Sequence, residues 1–115
     1  MKVRNLTRRF TFETETTDSL WKQVRGLSFS KVRNLFFPFE VETKWRVWMF
    51  GMRAKINIIF IDKRKTIVDV KKAEPLTLNP RSWKIYKPRK PCRYILETKD
   101  NRFSIGDRLE WKETF

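Results

Sequence analysis

Ile56-Asn57-Ile58-Ile59-Phe60-Ile61-Asp62 runs through Lys63-Arg64-Lys65 into Thr66-Ile67-Val68-Asp69-Val70. Two apolar runs of strand length around a short charged turn predict a β-hairpin, because β-branched and aromatic side chains suit a pleated surface. Outward from this hairpin the same signals recur. Upstream, Asn34 to Glu42 (NLFFPFEVE) is rich in phenylalanine and ends in alternation, and Trp45, Val47 and Met49 alternate with Arg46, Trp48 and Phe50 before Gly51 interrupts. Both segments read as strands. Near the N-terminus Phe10 and Phe12 alternate with Thr11 and Glu13, which suggests an early strand.

Downstream, Pro75 and Pro80 bracket a loop, Trp83 to Tyr86 reads as a short edge strand, and Pro88 and Pro91 frame a basic loop. Arg93 to Glu97 and Asp107 to Trp111, the latter after the Ile105-Gly106-Asp107 turn, complete the strands. One helix is expected: Thr17 or Asp18 can cap it, Leu20, Trp21 and Val24 fall at helical spacing, and Gly26 stands just past its end. Six or more short strands and one short helix predict a mainly β (α+β) fold, a compact antiparallel or mixed sheet with a barrel-like arrangement as one option, and the helix packed on it.

The 115 residues match one domain, 1–115, with an N-terminal strand region over 1–19. No apolar stretch approaches the roughly 18 to 20 residues of a spanning helix; the longest, Ile58-Ile59-Phe60-Ile61, has strand length. Lys2, Arg4, Arg8 and Arg9 are followed by no apolar signal-peptide core, so a cytoplasmic location is expected. The single cysteine, Cys92, excludes an internal disulfide and multi-thiolate metal sites. The chain has no histidine, which removes Ser-His-Asp and Cys-His nucleophilic machinery and nearly all zinc sites. No cofactor and no resident metal are expected. With 27 Lys and Arg against 13 Asp and Glu the net charge is +14, a balance that attracts polyanions, nucleic acid foremost.

Several short motifs occur in an order that resembles the family filed as domain of unknown function 192, or uncharacterised protein family 0127. They are Arg25-Gly26-Leu27, Trp48-Met49 before Gly51-Met52, Ile58-Ile59-Phe60-Ile61-Asp62, Ala73-Glu74-Pro75, Pro91 before Tyr94-Ile95-Leu96-Glu97, and Gly106-Asp107-Arg108-Leu109. The resemblance covers about residues 20–111 and implies a small β-rich fold with a helix, without an established activity. Three positions depart from the family pattern: Ser28 replaces a methionine, Lys55-Ile56-Asn57 replaces Pro-Leu-Asp, and Lys63-Arg64-Lys65 replaces a turn with glycine. Were that aspartate catalytic, Asn57 could not take its place.

These features support three readings. The preferred one is a non-enzymatic domain that binds an unidentified ligand or partner, using a cleft near Arg25, Trp48, Met52, Arg53 and Asn57. Arg25 has a structural explanation as well, since a cation at a helix C-terminus complements the dipole. The second is a nucleic-acid binder using Arg81, Trp83, Lys84, Tyr86, Lys87, Arg89, Lys90 and Arg93, where cations can track phosphates and aromatic faces can stack on bases. The same segment also fits a solvated loop whose Trp83 and Tyr86 anchor in the core. The third is carboxylate or metal chemistry using Glu40, Glu42, Glu74, Glu97 or Asp107, which requires a convergence that spacing does not supply. Ser28, Ser30 and Cys92 lack a partner base, so no catalytic residue is assigned.

Overall fold

Every side chain of the strand Ile56–Ile61 is buried, a pattern that arises only where a strand has sheet neighbours on both edges and packed layers on both faces. The computed structural model describes residues 1–16, 34–45, 47–48, 55–74 and 85–112, with 47–48 described through the backbone. In chain order the strands are β1 (Lys2–Asn5), β2 (Phe10–Glu13), β3 (Glu15–Thr16), β4 (Asn34–Thr43) and β5 (Val47–Trp48). They continue with β6 (Ile56–Ile61), β7 (Ile67–Ala73), β8 (Ile85–Tyr86), β9 (Cys92–Thr98) and β10 (Leu109–Glu110).

The expected hairpin forms as β6–β7, antiparallel from Ile56↔Ala73 to Ile61↔Ile67, with a register shift between Phe60 and Ile61. On its other edge β6 pairs with β9, and β9 pairs with β4, giving a five-stranded sheet in the order β3-β4-β9-β6-β7. The β3–β4 pairing is parallel, so the sheet is mixed. A separate three-stranded sheet, β10-β1-β2, joins the two ends of the described chain, and β5 pairs with β8 as a short ribbon. The helix expected between Thr17 and Gly26 lies outside the described residues.

Alternation sorts the core into two layers. Phe36, Ile59, Ile61, Ile67, Tyr94 and Leu96 turn to one face, where they pack against Val3, Phe12, Phe103, Leu109 and Trp111 of the small sheet and its flanks. Leu35, Phe37, Ile58, Phe60, Val68 and Ile95 turn to the other, against which Phe39, Trp45 and Tyr86 are packed. The barrel-like arrangement does not form among the described residues. The small sheet stacks on the large one and meets it at the isolated bridge Thr66↔Arg108 and the backbone hydrogen bonds beside it, so among the described residues the strand pairing does not run on around a closed cylinder.

Within the expected N-terminal strand region, 1–19, β1 is not singled out by the sequence, since Lys2-Val3-Arg4-Asn5 holds one apolar residue. It is held instead by a long-range clamp. Buried Asp107 accepts hydrogen bonds from Asn5 Nδ2 (2.9 Å) and the Ser104 N–H (3.0 Å), and its Oδ2 lies 3.0 Å from Arg8 Nε. Gly106 before it has φ +93°, a conformation glycine adopts without strain, and its N–H donates to Ile67 O at 2.8 Å. The Gly-Asp pair thus joins both termini to the central hairpin. The hairpin turn carries a comparable constraint, with Lys65 at φ 65° where a glycine would be relaxed. Its ammonium lies 4.8 Å from the Trp111 ring centroid and donates to Trp111 O at 3.4 Å. That contact gives a lysine something to do at this position.

Asp107→Ala leaves Asn5 Nδ2 and the Ser104 N–H without their buried acceptor, so urea denaturation should show a loss of about 2–4 kcal/mol. A loss below about 0.5 kcal/mol, the range of ordinary surface substitutions, would show that the clamp is not structural.

Candidate functional site

Of the cleft residues expected from sequence, Arg25, Met52 and Arg53 lie outside the described residues, and Trp48 is described only through its backbone pairing with Ile85. Asn57 is described and buried. The alternation of β6 places it on the face of Ile59 and Ile61, and its amide donates to Asp100 O (2.9 Å) and Asn101 Oδ1 (2.7 Å). Both amide hydrogens are used, so Asn57 anchors the turn after β9, a task an ionised aspartate could not perform.

The basic segment separates into two kinds of residue. Arg81, Trp83 and Lys84 lie outside the described residues. Arg89 is exposed, yet its N–H donates to Asp69 Oδ2 at 3.0 Å and its Nε lies 3.5 Å from Asp69 Oδ1. Arg93 Nε donates to Phe39 O at 3.1 Å, and its guanidinium lies 5.7 Å from the Tyr94 ring. Tyr86 is half-buried against the core and its hydroxyl accepts from the Glu74 N–H at 3.0 Å. Lys87 and Lys90 remain exposed, and neither has an ion-pair partner among the described residues. Tyr86, Arg89 and Arg93 therefore secure the loop, while Lys87 and Lys90 face water.

Asp69 escapes sequence reasoning. The β6–β7 register sets it opposite Phe60 on an apolar sheet face, fully buried, with Lys71 Nζ at 3.4 Å and Arg89 as its second cation. A carboxylate enclosed by Val68 and Val70 in a strand is the available signal, because a charge so placed needs a cation.

The remaining carboxylates do not converge. Glu42 Oε2 accepts from the Lys63 N–H at 2.7 Å and so caps the hairpin turn. Glu74 Oε1 lies 3.5 Å from Lys55 Nζ on the surface, and Glu40 is exposed. Glu97 is buried in the cross-strand row Leu35–Glu97–Ile58, on the opposite face from Asn57. Among the described residues no three His, Cys, Asp or Glu side chains are arranged to hold a metal ion. Cys92 is buried, and burial pushes its thiol up to about 12, with Glu42 adding to the rise and a backbone hydrogen bond at Trp45 opposing it. It is a core side chain that stays protonated at neutral pH.

At the end of β9 Arg102 grips Asp100 through Nε (3.1 and 3.0 Å) and Nη2 (2.7 Å), which holds the Asp100 carboxyl below its ordinary value. The same guanidinium lies 4.0 Å from the centroid of Phe10. Among the described residues no helix is long and apolar enough to cross a membrane.

The chain matches the model of the family DUF192, described as "Uncharacterized ACR", over residues 2–111. That span takes in β1 and β2, which the motif resemblance over 20–111 leaves out. A UPF0127 protein of Pyrococcus furiosus is 33% identical over 107 residues, covering 86% of each chain. One from Pyrococcus horikoshii is 32% identical over 107 residues, covering 86% of this chain and 87% of its own. Among solved structures, a protein of unknown function from Novosphingobium aromaticivorans superposes with a TM-score of 0.77 at 18% identity, covering 96% of this chain and 82% of that one. A protein of Sinorhizobium meliloti, described provisionally as a transcription regulator, gives 0.75 at 21% identity, with 95% and 89% covered. At these identities the two structures show a shared fold.

Two measurements check this geometry. Iodoacetamide at about pH 8 should leave Cys92 unmodified in the native protein and alkylate it in denaturant, since the thiolate is the nucleophile; rapid native labelling would show an accessible thiol. Because the Asp100 pKa is lowered by folding, its contribution to stability is present above the unfolded value of about 3.9 and is lost as pH falls through the folded value. NMR titration of Asp100 should place its midpoint below 3.9, and Arg102→Gln should bring it back toward that value.

Proposed function

This chain belongs to the DUF192 family of uncharacterised proteins, and we propose that it is a non-enzymatic binding domain whose ligand is a polyanion, nucleic acid in particular. The observation that carries the reading is the sorting of charge. Every lysine and arginine among the described residues is exposed or half-buried, whereas Asp69, Glu97 and Asp107 are buried. In a chain of net charge +14, turning carboxylates inward leaves the exterior still more positive, and such a field raises the local concentration of anionic polymers. Two of those acids secure loops: Asp69 holds the 87–90 segment and Asp107 holds the N-terminal hairpin.

The cleft reading has less support in the geometry. Its one described side chain, Asn57, is committed to Asp100 and Asn101. Carboxylate chemistry has less again, because Glu42, Glu74, Asp69 and Asp107 each serve a separate structural contact. A cationic exterior asks nothing more of these residues than the positions they already hold.

Fluorescence anisotropy with a labelled single-stranded oligonucleotide tests the reading. A protein that neutralises about four phosphates of a single strand should lose affinity about fifty-fold between about 50 and 200 mM salt. Absence of binding at the lower salt would remove nucleic acid as the ligand.

A further inference from the structure

The turn between β1 and β2 is unusually well determined for a surface loop. Asn5 is fully buried, its Oδ1 accepts from the N–H groups of Thr7 (3.1 Å) and Arg8 (2.9 Å), and its backbone carbonyl accepts from the Arg9 N–H at 2.9 Å. The Leu6 N–H donates to Arg108 O (2.8 Å), and the Arg108 N–H donates to Thr7 Oγ1 (2.9 Å). Two arginines are thereby held in place on a rigid frame, and Arg9 occupies it at φ 59°, a conformation costly for any residue with a Cβ.

This turn borders a concavity of about 490 Å3 lined by Arg4, Asn5, Leu6, Arg9, Phe10 and Thr11. That volume lies within the roughly 300–1,000 Å3 of small-ligand sites. Its cations are available where their neighbours are not. Arg8 is taken by Asp107 and Arg102 by Asp100, whereas Arg4 and Arg9 have no ion pair among the described residues. Glu110 stands opposite Arg4 in the β1–β10 register, yet it makes no ion pair with Arg4 and does not line the concavity. Leu6 is 46% exposed beside these cations, whereas Phe10 pairs with Asn5 on the core-facing side of the hairpin, where Phe103 and the Arg102 guanidinium cover its ring. Charge and apolar surface side by side match what one nucleotide unit of a flexible strand presents.

We infer that single-stranded nucleic acid sits in this concavity, with Arg4 and Arg9 on the phosphodiester backbone and Leu6 against a base. The inference rests on the nucleic-acid reading above and moves the contact from the 81–93 segment, where Arg89 and Arg93 are already engaged, to the N-terminal hairpin. It also gives the strained Arg9 a reason to be arginine.

The test is anisotropy with a labelled oligothymidylate across a salt series, comparing the wild type with Arg4→Gln/Arg9→Gln, Lys87→Gln/Lys90→Gln, Glu110→Gln and Arg9→Gly. The hairpin double variant should bind about tenfold more weakly and lower the slope of log affinity against log salt by about 1.4, the share of two phosphates. Lys87→Gln/Lys90→Gln should change affinity less than the hairpin variant does, and Glu110→Gln should tighten binding. Arg9→Gly guards against misfolding as the cause of any loss: glycine relieves the positive φ, so it should raise the melting temperature while weakening binding. Wild-type affinity in both Arg9 variants overturns the site while leaving the nucleic-acid reading standing. Absence of wild-type binding at low salt overturns both.

Discussion

The architecture depends on the two-sided burial of β6. A strand with no solvent-facing residue requires partners on both edges and cover on both faces, and the rest of the described structure meets those four demands. β9 and β7 take the edges. The β10-β1-β2 sheet covers one face, and Phe39, Trp45 and Tyr86 pack on the other. Because the covering sheet draws on both ends of the described chain, the fold is completed by contacts distant in sequence, such as Asn5 to Asp107.

The buried acids follow from the same constraint. A buried carboxylate cannot be hydrated, so it must be met by donors, and loops supply part of them. Asp69 draws in Arg89 and Asp107 draws in Arg8, which converts a desolvation problem into fixed loop positions. It also divides the cations into those that hold the structure together and those left for an external anion. Arg4, Arg9, Lys87 and Lys90 are in the second group, and Arg8, Arg89, Arg93 and Arg102 in the first.

Much of the strand pattern was legible in the sequence, because alternation and strand-length apolar runs are local properties of the chain. The β6–β7 hairpin, the early strand at Phe10 and Phe12, the Asn34 strand, the pairing segment at Ile85–Tyr86 and the strand through Tyr94 all appear where the periodicity places them. Within the 1–19 strand region β1 was not legible as a strand of its own, since Val3 alone marks it and its place is set by Asp107, 102 residues beyond Asn5. The barrel-like alternative does not form among the described residues. Whether a sheet closes or splits into stacked layers depends on strand order, which periodicity does not encode.

By itself the sequence determined the class of fold, the sign of the electrostatic field, and the absence of histidine and disulfide chemistry, all of which follow from composition and short-range pattern. The tertiary structure alone decided which arginines are engaged and which are free. Within the basic segment Arg89 and Lys90 are neighbours and look equivalent, yet Arg89 is tied to Asp69, 20 residues upstream, and Lys90 faces water. The difference arises because an ion pair is made by register and strand order, which bring together residues that the linear chain keeps apart.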